Sequence, residues 1–261
     1  MKARISNYSN AENPIITIYK AYRLCYSGGN QSEIKIPTTI RGNIDYDAMR
    51  EFIVDKLKKG HTTPLEHVSF TFEVSGVSRA LTHQLVRHRT GKYNQQSQRY
   101  VKLGQFEYVV PPSISKYPDL KARYVEEMER DQEAYDFLVG RLITEQIKEN
   151  FPDFSDPTDQ VAFKEQHKRE YIRLEKKAIE DARYVFPNAC TSNITMTFDL
   201  HNFRGFYKLR NCSHAQWEIR NLAKLLGNLV KDIIPWALVG SMNCGKTCFD
   251  CMNSKLLQME G

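Results

Sequence analysis

The stretch HVSFTFEVSGVSRALTHQLVRHRTG, residues 67–91, decides the fold, because a strand pattern changes into a helix pattern within it. Apolar and polar residues alternate over 67–75, as they do in a strand with one buried face. Gly76 is expected to end this strand. The helix expected to follow has apolar residues spaced four apart along one stripe, namely Val77, Leu81 and Leu85.

Helix patterns flank this stretch on both sides. Asp45 is a suitable N-cap and Gly60 a suitable C-terminal stop for a helix over 46–59. Ser213 and Gln216 form a capping-box pattern at the start of a later helix. Further elements are expected over 116–149 (helix), 158–184 (helix) and 189–199 (strand or loop). Because strands and long helices occur without regular βαβ alternation, the fold class is predicted to be α+β.

The composition is that of an ordinary globular protein, with 41% hydrophobic and 26% charged residues in a chain of 261. No linker-like segment divides the chain, so we expect one domain over 1–240 and a short cysteine-containing tail over 241–261. Runs of about 18 apolar residues, which predict membrane-spanning helices, are absent. The first residues also lack the apolar core of a signal peptide. We therefore expect a cytoplasmic protein with no membrane partner.

The net charge of +6 suits an anionic partner, which could be a small phosphorylated ligand or a nucleic acid. A nucleic-acid surface would gather its cations into one stripe interleaved with aromatic side chains. The lysines and arginines of this chain are instead spread throughout, so no nucleic-acid partner is predicted.

The six cysteines are too few and too unevenly spaced for a secreted disulfide framework, so reduced thiols are expected. Three of them, Cys244, Cys248 and Cys251, resemble part of a zinc or iron–sulfur site. Because the regular paired Cys-x2-Cys arrangement is missing, we predict no metal site.

Candidate ligand-binding side chains are densest in QLVRHRTGKYNQQSQRY, residues 84–100. Arginines at the end of a helix can simply complement the helix dipole. However, no Asp or Glu occurs between Glu73 and Glu107, so these cations have no acidic partner nearby in sequence. Guanidinium groups bind phosphate in a bidentate manner, and an anionic ligand is therefore the better explanation.

Arg87-His88-Arg89, followed after seven residues by Ser97, resembles the RHR-x7-S signature of the flavin-dependent thymidylate synthases. Three further blocks resemble the same family in the same order: HTTPLEH at 61–67, ARYVFP at 182–187 and LRNCSHAQWE at 209–218. RHR alone is a weak signal, whereas four ordered blocks are specific.

The resemblance implies a central, mainly antiparallel sheet with long flanking helices, and a homotetramer whose active sites are shared between subunits. It implies reductive methylation of dUMP to dTMP, with methylenetetrahydrofolate as the carbon donor and FAD reduced by NADPH. The classical thymidylate synthases share this substrate but use a cysteine nucleophile, and no cysteine here lies in a Pro-Cys-His setting.

The resemblance also assigns residues to dUMP. Arg210 matches a position that stabilises a deprotonated uracil N3, and it is the expected catalytic residue. Ser97 is expected to bind substrate, because no His–Asp relay surrounds its hydroxyl in sequence. The expected dUMP-binding residues are Gln84, Arg87, Gln95, Gln96, Ser97, Gln98, Arg99, Arg183 and Arg210.

A second set of positions matches the family's flavin site. The residues expected to bind FAD are His61, Thr63, Glu66, Arg87, His88, Arg89, Gln95, Asp199, His201 and Gly205. The chain departs from the family at Gln95, where Glu is common, and at Asp199, His201 and Gly205. Because Gly205 supplies no side chain, a contact there is expected to shift to Asn202 or Arg204.

Overall fold

The computed structural model describes residues 1–8, 13–97 and 106–241. Its strands are β1 Lys2–Tyr8, β2 Ser69–Ser78, β3 Lys92–Gln95 and β4 Thr191–Asp199. Its α-helices are α1 Pro14–Leu24, α2 Tyr46–Lys58, α3 Arg79–Leu85, α4 Pro112–Ser115, α5 Pro118–Asn150, α6 Gln160–Gln166, α7 Lys168–Ala182, α8 Leu200–Arg210 and α9 Trp217–Ile233. Short 3-10 turns cover Gln31–Glu33, Thr63–His67 and Arg183–Val185. Helices and an antiparallel sheet are both present, which confirms the predicted α+β class.

The described strands form a four-stranded sheet in the order β1-β2-β4-β3, so β2 and β4 are its central strands. β1 pairs antiparallel with β2. The alternation that predicted β2 is confirmed, because Phe70, Phe72 and Val74 are buried. The predicted start of α2 is also confirmed, since Asp45 Oδ1 accepts a hydrogen bond from Ala48 N at 2.9 Å.

The chain forms two compact units. Of the described residues, the first contains 1–8, 13–77, 81–94 and 193–241, and the second contains 78–80, 95–97 and 106–192. The prediction of one domain over 1–240 with a short tail over 241–261 stays a prediction.

Stacked aromatic rings attach α8 to the sheet in the first unit. Phe72 of β2 stacks on Phe203 with ring centroids 5.4 Å apart, and Phe198 of β4 stacks on Phe206 at 5.5 Å. All four rings are buried. Since burying one such side chain contributes about 1.5–3 kcal/mol, this cluster fixes α8 against the sheet.

The second unit is built on α5 and α7, which pack along each other. Their shared core contains Tyr135, Ile143 and Ile147 of α5 and Leu174 and Ala178 of α7. These residues recur at helical spacing, so each helix has one apolar stripe and a charged opposite face.

Two sequence predictions about breaks in the backbone were wrong. Gly76 does not end β2, because its φ of +66° lets the strand bend and continue to Ser78. The helix predicted over 158–184 is interrupted at His167, whose φ of −129° and ψ of 52° are not helical. The His167 ring packs instead on Phe163, with centroids 4.9 Å apart.

Two further predictions also need correction. The N-cap of α9 is Gln216 rather than Ser213, because Gln216 Oε1 accepts from Glu218 N at 2.8 Å and from Ile219 N at 3.2 Å. The expectation of reduced thiols throughout was wrong as well. Cys212 is disulfide-bonded, a pairing that spacing along the sequence cannot reveal, whereas Cys25 and Cys190 are free.

Within the described ranges, no helix combines the length and the apolar character that crossing a membrane requires.

The glycines of α8 and α9 allow a matched test of this packing. A Cβ on Gly227 would lie 2.9 Å from Tyr207 Cδ2 and 3.2 Å from Leu238 Cδ1, whereas a Cβ on Gly205 would meet nothing within 4 Å. Gly227→Ala should lower the free energy of unfolding by about 1–3 kcal/mol, because the interface has no room for a methyl group. Gly205→Ala should raise it by up to about 1 kcal/mol through helix propensity. Urea denaturation of the ligand-free protein checks both, and equal stabilisation by the two changes would contradict the close approach of α9 to α8.

Candidate active site

The turn between α3 and β3 carries the RHR motif, and its backbone is fixed through the carbonyl of His88. That carbonyl accepts from Gly91 N at 2.9 Å and from the Tyr93 hydroxyl at 3.0 Å. Burial raises the pKa of Tyr93, so its hydroxyl stays protonated and available as a donor. Arg87 and Arg89, on either side of His88, are exposed.

The His88 ring is held between an arginine and a phenylalanine. Arg210 Nε donates to His88 Nε2 at 2.8 Å, and the Phe206 ring lies edge-on to the imidazole at 5.1 Å. Burial lowers the pKa of His88, and the charge of Arg210 lowers it further. His88 is therefore neutral at pH 7 with its acceptor nitrogen toward Arg210, which leaves the proton on Nδ1.

Arg210 is the last residue of α8 and is half-buried. A cation at this end of a helix is stabilised by the helix dipole. The position of Arg210 thus follows from the packing of α8, and the position of its head group follows from the contact with His88.

The segment with His61, Thr63 and Glu66 lies just before β2, and all three residues are exposed. The 3-10 turn Thr63–His67 packs against α8 and α1. The Tyr22 hydroxyl of α1 donates to the carbonyl of His61 at 2.5 Å. Burial raises the pKa of Tyr22 to about 12, although the charge of Arg204 acts to lower it. The Tyr22 hydroxyl therefore stays protonated at neutral pH and can donate this hydrogen bond.

The first residues of α8 carry the positions that depart from the family pattern. Asp199 is the N-cap of α8, with Oδ1 accepting from Asn202 N at 2.8 Å and Oδ2 accepting from Asn202 Nδ2 at 2.7 Å. His201 is half-buried, and Gly205 is exposed with open space where a Cβ would be. Arg204 points into the core and donates to the carbonyls of Ala237 and Val239, so its role is structural.

In the second unit the structure places Arg183 near a second arginine that the sequence analysis missed. Arg183 is buried, with its guanidinium 5.9 Å from the Phe186 ring. Burial lowers the pKa of Arg79, and the charge of Arg183 lowers it further. Burial raises the pKa of the Cys190 thiol, against the charges of both arginines, so this thiol stays protonated. Arg79 lies in the same acid-free interval that singled out the RHR motif, and that signal could have identified it.

The remaining dUMP candidates lie along α3 and β3. Gln84 is half-buried in α3. Gln95 of β3 donates from Nε2 to Ser192 Oγ at 3.1 Å. Gln96 is exposed and Ser97 half-buried. Gln98 and Arg99 lie outside the described residues.

No group of three or more His, Cys, Asp or Glu residues that could hold a metal ion occurs in the part of the chain that the structure describes. Cys244, Cys248 and Cys251 lie outside it.

Comparison with known proteins gives the family of this chain. The thymidylate synthase complementing protein family, Thy1, matches residues 5–236. The chain belongs to the Thy1 family. Similar proteins include the flavin-dependent thymidylate synthases of Clostridium tetani, 39% identical over 94% of each chain, and of Nitratidesulfovibrio vulgaris, 38% identical over 89% of this chain and 84% of the relative. The resemblance inferred from the motif blocks is thereby confirmed.

The Thy1 fold is also found in a solved structure. The flavin-dependent thymidylate synthase ThyX of Helicobacter pylori, complexed with FAD and dUMP, superposes with a TM-score of 0.57. It is 17% identical and is matched over 93% of this chain and 100% of that chain. At this identity the likeness shows the fold, and it confirms the fold predicted from the sequence.

Gly91 gives a direct test of how this Thy1 protein holds its RHR turn. A Cβ on Gly91 would lie 2.6 Å from Phe198 Cζ and 2.6 Å from Tyr93 Cζ. Gly91→Ala should force Tyr93 away from the His88 carbonyl and lower the free energy of unfolding by about 1–3 kcal/mol. Gly28→Ala is the control, because a Cβ on that exposed glycine would meet nothing within 4 Å. If chemical denaturation finds the two variants equally stable, the turn is not packed as described.

Proposed function

We propose that this protein methylates dUMP to dTMP, with methylenetetrahydrofolate as carbon donor and FAD, reduced by NADPH, as the redox cofactor. Membership of the Thy1 family supports the reaction. The observation that carries the proposal is the hydrogen bond of 2.8 Å between Arg210 and His88, because it joins two motif blocks far apart in the sequence. We also propose a cytoplasmic location.

The reaction balances without a protein nucleophile. The C5–H bond of dUMP is replaced by a C5–CH3 bond: the folate methylene group supplies the carbon, a hydride equivalent from NADPH supplies its third hydrogen, the C5 proton is released and tetrahydrofolate leaves. FAD, when bound, would supply the two-electron redox chemistry between NADPH and the methylene carbon. The protein binds the reactants, orients them and stabilises developing charge.

Arg210 is proposed to face the uracil ring. Loss of the proton from N3 makes C5 more nucleophilic, and a fixed guanidinium beside the resulting anion stabilises it. The half-buried guanidinium attracts this anion more strongly than an arginine in water would, because the local dielectric constant is lower.

The dUMP phosphate is proposed to bind Arg79 and Arg183. Burial is the main cause that lowers the pKa of Arg79, and the charge of Arg183 lowers it further, so the two guanidinium groups act on the same region and would together attract a dianionic ligand. Gln84, Arg87, Gln95, Gln96, Ser97, Gln98 and Arg99 are proposed to complete the dUMP contacts.

The described residues fit a flavin on chemical grounds. His61, Thr63 and Glu66 present exposed donors and acceptors on a turn that packs against α8, and Arg87 and Arg89 are exposed cations suited to a pyrophosphate. Gly205 leaves open space beside His201. Asp199 already uses both oxygens to cap α8, so a cofactor would have to compete with Asn202 for its side chain.

A homotetramer with active sites shared between subunits is proposed from the family resemblance. If it is correct, activity should disappear when dilution yields monomers, and an active monomer would refute sharing.

The absorbance spectrum of the purified protein with added FAD tests the function, followed by NADPH oxidation with and without dUMP. Bound flavin whose reduction responds to dUMP supports both the cofactor and the substrate. Arg210→Ala should retain flavin but form no dTMP, because it removes the guanidinium and no flavin contact. A variant that still forms dTMP would remove Arg210 from the chemistry, and wild-type protein that binds no flavin would overturn the proposal.

The role of Arg79 is tested by truncation with a matched control. Arg79→Ala should weaken dUMP binding by about 1.5–3 kcal/mol, the usual value of a hydrogen bond to a charged group. Arg123→Ala removes the same charge from the exposed surface of α5, where Arg123 pairs with Glu126, and should leave binding unchanged. Calorimetry with dUMP and with deoxyuridine distinguishes a phosphate contact, because the nucleoside should bind both variants alike. An equal loss for both ligands would place Arg79 away from the phosphate.

A further inference from the structure

The hydrogen bond between Arg210 and His88 is possible in only one protonation state of the histidine. A guanidinium has N–H donors and no acceptor. His88 Nε2, 2.8 Å from Arg210 Nε, must therefore accept, which requires a neutral imidazole with its proton on Nδ1. Adding a proton to Nε2 of this tautomer would break the hydrogen bond and leave two cations, the imidazolium and the guanidinium, facing each other.

His88, which carries the acceptor Nε2, is held in place by contacts with Gly91, Tyr93 and Phe206. The His88 carbonyl is bound by Gly91 and Tyr93, the ring is packed edge-on against Phe206, and Phe206 is itself buried against Phe198 of the sheet. The Arg210 side chain is long and flexible, so the position of its guanidinium is set by the hydrogen bond to the fixed Nε2 of His88.

We propose that His88 is a positioning residue that aims Arg210 at the uracil, and that dTMP formation stops when His88 takes up a proton. The inference rests on the proposed function. It gives His88 a role in methylation, the positioning of Arg210, in addition to the contact with the flavin that the family resemblance implies.

The groups around His88 all oppose its protonation or are neutral. Arg210 faces it from α8, the Tyr93 hydroxyl from β3 is bound to its carbonyl, and Arg87 and Arg89 flank it on its own turn. Burial and Arg210 lower the pKa of His88 below its ordinary value of about 6.5. His88 is therefore neutral above that value, and turnover should fall only as the pH drops through the lowered pKa.

Two substitutions separate positioning from simple packing. His88→Gln keeps an oxygen that can accept from Arg210 but cannot titrate. His88→Phe keeps a ring against Phe206 but has no acceptor. The methylation rate is measured in single turnovers of protein carrying reduced FAD, at saturating dUMP and methylenetetrahydrofolate, from pH 5 to 8, with flavin content and dUMP affinity measured separately.

We expect His88→Gln to retain the rate at neutral pH within about tenfold and to lose the acid limb of the wild-type profile. We expect His88→Phe to be slower by about 100-fold at all pH values, as for a misplaced catalytic group, with dUMP affinity little changed. An acid limb that persists in His88→Gln, or a His88→Phe variant as fast as wild type, overturns the inference. Wild-type protein that forms no dTMP is a separate result, because it overturns the proposed function.

Nitrogen NMR of the wild-type histidines gives an answer even where a variant fails to fold. The inference expects His88 to carry its proton on Nδ1 at pH 7, with Nε2 unprotonated. A protonated Nε2 at pH 7 would overturn it without any measurement of activity.

Discussion

The packing of α8 on the sheet is the constraint on which the rest of the structure depends. β4 leads directly into α8, and Leu200 N donates to Val68 O at 2.7 Å, so the helix begins beside the start of β2. Phe203 and Phe206 then stack on rings of the two central strands. Every candidate residue of the first unit outside the RHR turn and α3 lies on α8, at its N-cap, or in the segment around the 3-10 turn that packs against it. Moving α8 would thus displace Arg210 and the residues proposed to contact the flavin together.

The same helix explains how an apolar core controls the charge of a polar site. Phe206 contributes one face to the core and one edge to His88, and the imidazole is neutral because burial and Arg210 disfavour its charged form. In the second unit, burial and the charge of Arg183 lower the pKa of Arg79.

The sequence predicted the central part of this fold and missed its edges, for a physical reason. β2 was recognised because a central strand of this kind buries one face and alternates strictly, whereas β4 lies in a region that was predicted only as strand or loop. β1 and β3 are edge strands whose residues are exposed or half-buried. The alternation in KARISNY runs only from Lys2 to Ser6, and KYNQ has four residues with one aromatic side chain, so neither pattern is long or apolar enough to predict a strand. Of the candidate site, the motif blocks singled out His88, Arg183 and Arg210, whose roles stay predictions. They could not show that Arg210 meets His88, that Asp199 serves as an N-cap, or that Arg79 lies near Arg183, because these are contacts made across the fold.

A single-turnover experiment tests whether flavin oxidation is coupled to the formation of dTMP. Protein loaded with FAD and chemically reduced without oxygen is mixed with dUMP and methylenetetrahydrofolate, and flavin oxidation and dTMP are followed together. The account predicts one dTMP formed for each flavin oxidised, and no oxidation when either substrate is left out. Flavin that stays reduced with both substrates present, or that is oxidised without forming dTMP, would contradict it.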